Sequence, residues 1–281
     1  MFTQDFYNHI RNELISNQSS KILELEKHYT DVLVKFIFDN FFDIEEDFNT
    51  SFSLSPFWEA YAPIQRGYKP SGQAYPWGEV GEKVLEGYLY SGLSKIFDNF
   101  RFPGIPYGHD VRFLTDEVFI NIDIKSTGPT DNVNEVVVSP NQVTGDGIYT
   151  GHGIVNNNEV LMQGLRVGKL FRPELAPFYI MDGKAIPVLT FYVKVVYSVN
   201  VIGNQPLRYI EVVCVPNGLP MFVNPDYNLH FPGIFTPGKD EQHVVRKRAR
   251  IKLNPLSRIA EWRCQKIYFD EQTNRLEISF R

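Results

Sequence analysis

The order of apolar and polar positions divides the chain into a helical first part and a strand-rich remainder. Apolar residues recur at helical spacing over residues 3–47, which predicts two helices broken near Asn17 to Ser20. A third helix is predicted from Glu79 to Asn99. Runs of β-branched and aromatic residues follow, and they predict strands. Helices followed by strands, without a βαβ repeat, predict either an α+β fold or a mixed central β-sheet flanked by helices.

The segment DVRFLTDEVFINIDIK predicts a β-hairpin that gathers charge on one face. If Asp116 and Glu117 form its two-residue turn, Asp110 lies directly opposite Asp123. Lys125 shares the face of Asp123, because side chains alternate along a strand. Two opposed carboxylates destabilise a sheet unless a cation lies near them. The hairpin therefore predicts a cluster of two acids and one lysine.

This cluster contains the groups that metal-assisted phosphodiester hydrolysis needs. Asp110 and Asp123 are candidate oxygen ligands for Mg²⁺, with the main-chain carbonyl of Ile124 as a third donor. The ion would keep waters for the nucleophile and polarise the phosphoryl oxygen, while Lys125 orients or deprotonates the attacking water. A surface ion pair, in which Lys125 only neutralises the acids, remains open on spacing alone.

Three glutamates of the third helix could add an acid to this site. Glu79, Glu82 and Glu86 lie at i, i+3 and i+7 and so share one helical face. Glu79 and Glu82 also lie near the helix N-terminus, where the helix dipole favours a carboxylate. A role in capping the helix and a role in the site are both open here.

The charge of the chain is unevenly distributed. A net charge of −5 argues against a non-specific binder of polyanions, which needs many Lys and Arg contacts to phosphate. The stretch GKDEQHVVRKRARIKLNPLSR, residues 238–258, is nevertheless strongly basic. Such an element could form a DNA-facing groove, although a solvated face is the alternative.

Several classes of protein are disfavoured by what the sequence does not contain. The chain has no apolar stretch of membrane-spanning length and no signal-peptide pattern, and its two cysteines form no C-x-x-C motif. It also contains no Walker loop and no G-x-G-x-x-G motif. We therefore expect a cytoplasmic protein with no membrane partner and no nucleotide cofactor.

Seven colinear segments resemble one known family. HDVRFL followed by NIDIKSTGPTD matches the PD-(D/E)xK nuclease signature. From about residue 54 to 252, the stretches PFWEAYAPIQRGYKPSG, PWGEVGEKVLEG, DIKSTGPTDN, SPNQVTGDG, PVLTFYVKVVYS, VPNGLPMFVNPDY and PGKDE occur in the order typical of BglI-type restriction endonucleases. A bare D-x-K is a weak signal, whereas this ordered series is specific.

The resemblance implies a bacterial type II restriction endonuclease of α/β fold. Such an enzyme is a homodimer that recognises an interrupted G·C-rich palindrome in double-stranded DNA and cuts both strands with Mg²⁺. Asp110, Asp123 and Lys125 fall on the active-site positions of the family, and Glu82 falls on its helical glutamate. We expect one domain over residues 1–281.

Within that domain we expect a helical part at 1–50, a catalytic core at 77–200 and a DNA-recognition part at 205–260. The resemblance also assigns base-reading positions, which are Asp131, Lys239, Asp240, Glu241 and Arg248. Their chemistry fits this role, because Lys and Arg donate to guanine while Asp and Glu accept from cytosine. Two alternatives stay open: a structure-specific or repair nuclease of the same superfamily, and a DNA-binding protein with a silent site.

Overall fold

The computed structural model describes residues 3–53, 77–104, 108–149, 154–156, 160–161, 170–198, 206–223, 233–237 and 248–281. Its helices are α1 (Gln4–Asp39), α2 (Phe41–Ser53), α3 (Trp77–Ile96), α4 (Gly218–Val223) and α5 (Leu253–Ile259). Short 3₁₀ turns span Pro140–Gln142 and Glu261–Arg263. No helix in these ranges is long and apolar enough to cross a membrane.

The first helix differs from the sequence prediction. The predicted break near Asn17 to Ser20 is wrong, because α1 continues through these residues to Asp39. Polar residues other than Gly and Pro reduce the stability of a helix only slightly, so a run of them does not end the helix. The break lies at Asn40, whose side-chain amide donates to the carbonyl of Phe36 at 2.8 Å. This local bond competes with continuation of the helix.

In the described parts of the chain, fourteen strands follow the first three helices. They are β1 (Val111–Leu114), β2 (Phe119–Thr127), β3 (Glu135–Val138), β4 (Gly147–Tyr149), β5 (Ile154–Asn156), β6 (Val160–Leu161), β7 (Leu170–Phe171), β8 (Phe178–Met181), β9 (Lys184–Tyr197), β10 (Leu207–Val215), β11 (Phe235–Pro237), β12 (Ala249–Lys252), β13 (Cys264–Asp270) and β14 (Arg275–Phe280).

The central sheet is mixed, as predicted. Its order is β1-β2-β9-β10-β13-β14, with β8 also paired to β9. Strands β2 and β9 run parallel, whereas the other pairs are antiparallel. The β1–β2 hairpin has the predicted register, since Val111 pairs with Ile122. Strands β11, β12 and β3 form a separate three-stranded sheet, which we call the small sheet.

Apolar layers cover both faces of the central sheet. One face packs on α1, α2 and α3, and Ile122 and Ile124 of β2 contribute to that core. The opposite face contributes Tyr192 and Val213 to a second core, shared with the small sheet. Asp123 and Lys125 lie on this second face by alternation. The polar residues of β2 therefore face the small sheet.

A buried ion pair joins α1 to the C-terminal part of the chain. Arg263 donates to Glu26 at 2.7 Å, and neither side chain is exposed. The backbone N–H of Asn217 donates to the other carboxylate oxygen of Glu26 at 2.6 Å. A buried carboxylate needs such partners, because an uncompensated buried charge is strongly unfavourable. The N-terminal helix is thus integral to the fold.

Candidate active site and DNA-facing cleft

The hairpin places the two predicted carboxylates beside each other at the end of β1. The backbone N–H of Asp110 donates to Ile122 O at 3.1 Å, which extends the ladder by one residue. Asp110 Oδ2 then accepts from the backbone N–H of Ile124 at 2.7 Å. The side chain of Asp110 therefore occupies the hydrogen-bonding position that a longer β1 would have used. This contact fixes Asp110 next to β2.

Asp123 is buried and is held on both sides. It forms an ion pair with Lys125, and its Oδ1 accepts from the side-chain amide of Gln142 at 2.5 Å. Burial raises the pKa of Asp123 from 3.8 to about 7, Lys125 opposes this rise, and Asp110 and Glu82 add to it. The lysine predicted on this face thus lies against Asp123, with 30% of its side chain exposed. Below about neutral pH, Asp123 must therefore release a proton before it can bind a cation.

The residues around Asp110 and Asp123 fit a hard divalent cation. A strand residue directs its N–H and its C=O toward the same neighbouring strand. Because the N–H of Ile124 points to Asp110, its carbonyl faces the same side. Within the described ranges, no group of three or more His, Cys, Asp and Glu side chains is placed to hold a metal. Two carboxylates and one carbonyl nevertheless suit Mg²⁺, which uses one or two protein carboxylates and keeps several waters.

Glu82 approaches β2 from helix α3. The backbone N–H of Ser126 lies 3.4 Å from Glu82 Oε1. The close packing of α3 on β2 depends on Gly81, where an added Cβ would lie 2.8 Å from Ser126 Oγ and 3.1 Å from Phe48 Cε2. Glu82 therefore lies near the carboxylate pair and raises the pKa of Asp123. Glu86 forms an ion pair with Lys83 at 2.5 Å instead.

An open cleft of about 290 Å³ lies beside Lys125, between β2 and the small sheet. Its lining includes Asp131, Glu135, Lys194 and Arg250. Asp131 is exposed, and its Oδ2 accepts from the backbone N–H of Gly128 at 3.0 Å. The predicted catalytic lysine and the predicted base-reading aspartate thus line one cleft.

The basic run is only partly described. Lys239, Asp240 and Glu241, which we predict to read bases, lie outside the described residues. Arg248 is described and is exposed immediately before β12.

Two other cations of this run, both partly exposed, pair with an acid of the small sheet. Arg250 pairs with buried Glu135 at 2.8 Å, and Lys252 pairs with its other carboxylate oxygen. Part of the basic run is therefore neutralised within the protein, and its positive charge at the cleft is smaller than the sequence indicates.

The sequence prediction missed two residues around the site. Lys194 pairs in register with Lys125, has a side chain 1% exposed, and donates to the carbonyls of Val133 and Glu135 at 2.6 and 3.1 Å. Its position within the apolar strand β9 was the available signal. Gln142 carried no such signal, because its contact with Asp123 depends on how the segment after β3 folds.

Comparison with known proteins identifies the family. The model of the restriction endonuclease BglI family matches residues 2–267. The chain belongs to the BglI restriction endonuclease family. The type II restriction enzyme BglI of Bacillus subtilis is 34% identical over 279 residues, covering 90% of this chain and 93% of that protein. The predicted class of enzyme, a type II restriction endonuclease that cleaves DNA sequence-specifically, is thereby confirmed.

Solved structures agree with this membership in the BglI family. A crystal structure of BglI bound to its DNA recognition sequence matches with a TM-score of 0.81 at 35% identity, covering 94% of this chain and 96% of that one. Tetrameric SfiI bound to cognate DNA matches with a TM-score of 0.63 at 12% identity, covering 95% of each chain. The likeness to SfiI supports the fold alone, and the predicted restriction-endonuclease-like α/β fold is confirmed.

Proposed function

We propose that this BglI-family endonuclease cuts both strands of an interrupted G·C-rich palindrome in a Mg²⁺-dependent reaction. The observation that carries the proposal is the placement of Asp110, Asp123 and Lys125 together beside the open cleft. Double-stranded DNA is the proposed substrate, and the BglI structure that this chain resembles contains its recognition sequence. The proposed location is the bacterial cytoplasm, where the enzyme would encounter double-stranded DNA.

The roles of the side chains follow from their positions. Asp110, Asp123 and the Ile124 carbonyl would hold Mg²⁺, which when bound polarises the phosphoryl oxygen and lowers the pKa of water. Lys125 reaches the carboxylate pair from the cleft side and is partly exposed. Its ammonium is therefore suited to orient the attacking water and to offset negative charge that develops on the phosphate. Glu82 would support the site from α3.

Proton balance favours a role for Asp123 as a ligand above neutral pH. The carboxyl is protonated in a large fraction of molecules below its pKa of about 7. Metal binding requires the deprotonated form, so the proton leaves as the cation enters. In the metal-free site, the ionised fraction of Asp123 pairs with Lys125. A bound cation would compete with Lys125 for this carboxylate and would leave the ammonium available to the substrate.

Recognition is proposed to occur along the cleft and the basic run. Asp131 lines the cleft, and Arg248 is exposed at the start of β12. Guanine O6 and N7 accept from Arg or Lys, and cytosine N4 donates to a carboxylate, so Asp131, Arg248, Lys239 and the Asp240–Glu241 pair suit G·C pairs. A palindrome has two equivalent halves, which a symmetric homodimer would bind with one protomer each.

Digestion of unmodified bacterial DNA tests the proposal. With Mg²⁺ we expect discrete fragments, with EDTA none, and with Asp123→Ala none. A smear without discrete bands would support a structure-specific nuclease instead, and DNA retention without cleavage would support a silent binding protein. Sedimentation of the protein with and without an oligonucleotide duplex tests the dimer, for which we expect twice the mass of the chain.

A further inference from the structure

The amide of Gln142 is fixed at both ends between the small sheet and the active site. Its Nε2 donates to Asp123 Oδ1 at 2.5 Å, and its Oε1 accepts from the backbone N–H of Ser139 at 2.9 Å. The Ser139 N–H can pair only with an oxygen, so the nitrogen of the amide must face Asp123. The backbone N–H of Ser139 thus determines that the nitrogen end of the amide, and not its oxygen end, faces Asp123.

The turn that carries Gln142 is itself anchored beside Asp123. Residues Pro140–Gln142 form the 3₁₀ turn, and the N–H of Gln142 donates to Ser139 O at 3.0 Å. Tyr192 donates from its hydroxyl to the carbonyl of Gln142 at 3.0 Å. Tyr192 is the residue of β9 that pairs in register with Asp123. Strand β9 therefore holds Gln142 beside Asp123, which lies on the neighbouring strand β2.

The same turn is continuous with the small sheet that borders the cleft. It directly follows β3, and β3 pairs with β12 through Arg250 and Val137. Arg250 lines the cleft. A continuous set of strand pairings and hydrogen bonds thus connects β12 to a catalytic carboxylate. A shift of the small sheet would move the amide of Gln142 relative to Asp123.

We infer that Gln142 is a positioning residue that orients Asp123 for the divalent cation and links this orientation to the small sheet. The inference deepens the proposed function and rests on the role given to Asp123 there. A carboxylate oxygen has two acceptor sites, so the hydrogen bond from Gln142 leaves Oδ1 able to bind a cation. Rotation about the Cβ–Cγ bond of Asp123 is restrained, because a turn of the carboxylate breaks this bond. Partners of this kind fix the ligand before the metal arrives.

The test replaces Gln142 with methionine, which has similar length but no donor. Titration with Mn²⁺ alone, followed by electron paramagnetic resonance, measures cation affinity without catalysis. We expect the dissociation constant for Mn²⁺ to rise about 10- to 100-fold, as is typical when a partner of a metal ligand is removed. The single-turnover cleavage rate should fall at low Mg²⁺ and recover toward the wild-type value at high Mg²⁺. DNA affinity without metal should stay unchanged.

Gln265→Met is the matched control. Gln265 is buried, whereas Gln142 is partly buried, and its side-chain amide donates to Trp262 O at 3.0 Å rather than to a residue of the site. We expect wild-type Mn²⁺ affinity for this variant. If Gln142→Met does not fold, Gln142→Asn retains an amide but is one methylene too short, and the same rise is expected.

The outcomes separate the inference from the proposed function. A Mn²⁺ affinity of Gln142→Met within about twofold of wild type overturns the inference, as does an equal loss in Gln265→Met. If Asp123→Asn then still lacks cleavage, the proposed site stands without Gln142. Wild-type cleavage by Asp123→Asn overturns the proposed site and the inference together.

Discussion

The raised pKa of Asp123 makes a quantitative prediction for the metal-free protein. Burial raises this pKa from 3.8 to about 7 in the folded state. Between these pH values the folded protein keeps a proton that the unfolded chain has lost, so the free energy of unfolding falls as pH rises. Asp123→Asn removes the titration while keeping the shape and the acceptor for Gln142. The variant should therefore gain stability relative to wild type as the pH increases.

The magnitude follows from the two pKa values. With an unfolded pKa near 3.8 and a folded pKa near 7, this carboxyl lowers the free energy of unfolding by about 2 kcal/mol at pH 5 and about 4 kcal/mol at pH 8. The free energy of unfolding of Asp123→Asn, relative to wild type, should thus increase by about 2 to 3 kcal/mol from pH 5 to pH 8. Most of the change should occur between pH 5 and 7.

Urea unfolding in EDTA at pH 5, 6, 7 and 8 measures this difference. Other titrating groups are common to both proteins, and their contributions cancel in the comparison. The interaction with Lys125 adds no separate contribution, because it is present only when Asp123 is ionised and is already included in the pKa of about 7. A difference that does not change with pH would show that burial does not raise the pKa of Asp123. Asp123→Asn should at the same time lose cleavage.

Three further predictions follow from the contacts of the described residues. Because Asp123 must lose its proton, the apparent affinity for Mg²⁺ should fall about tenfold per pH unit below pH 7, measured from cleavage against Mg²⁺ concentration. Arg281→Met leaves buried Glu211 without its bidentate partner, at 2.7 and 3.0 Å, and should lower the free energy of unfolding by about 3 to 5 kcal/mol. Gly81→Ala places a methyl group 2.8 Å from a serine hydroxyl of β2 and should cost about 1 to 3 kcal/mol, whereas Gly87→Ala on the same helix meets nothing within 4 Å and should be stabilising.

Each of these three has a clear contrary result. An Mg²⁺ affinity that is flat between pH 6 and 8 would mean that no proton leaves on binding. Equal unfolding free energies for Arg281→Met and the exposed-site variant Arg275→Met would mean that the guanidinium of Arg281 is dispensable. A stabilised Gly81→Ala would mean that α3 can move away from β2 without cost.

Local sequence was sufficient to predict the carboxylate pair. A two-residue turn fixes the register of a hairpin, so a turn at Asp116 and Glu117 also places Asp110 opposite Asp123. The alternation of β2 then gave the position of Lys125. These are contacts between residues close in the chain, and they depend on no distant packing.

Contacts that depend on tertiary packing could not be read from the sequence. Gln142 reaches Asp123 only because the segment after β3 folds back over β9. The basic run indicated a uniformly cationic element, whereas Glu135 neutralises Arg250 from a strand more than one hundred residues earlier in the chain. The predicted helix break near Ser20 is wrong, because tertiary packing and a run without Gly or Pro let α1 continue to Asp39.

Cleavage by single variants tests most directly whether Asp123 and Lys125 form the active site. We predict that Asp123→Ala and Lys125→Ala lose Mg²⁺-dependent cleavage of unmodified DNA in single-turnover assays, yet still bind the cognate duplex with Ca²⁺. Wild type should cut the same duplex, and the sequenced ends of its fragments should share one interrupted palindrome. Cleavage at the wild-type rate by either variant would show that the active site lies elsewhere.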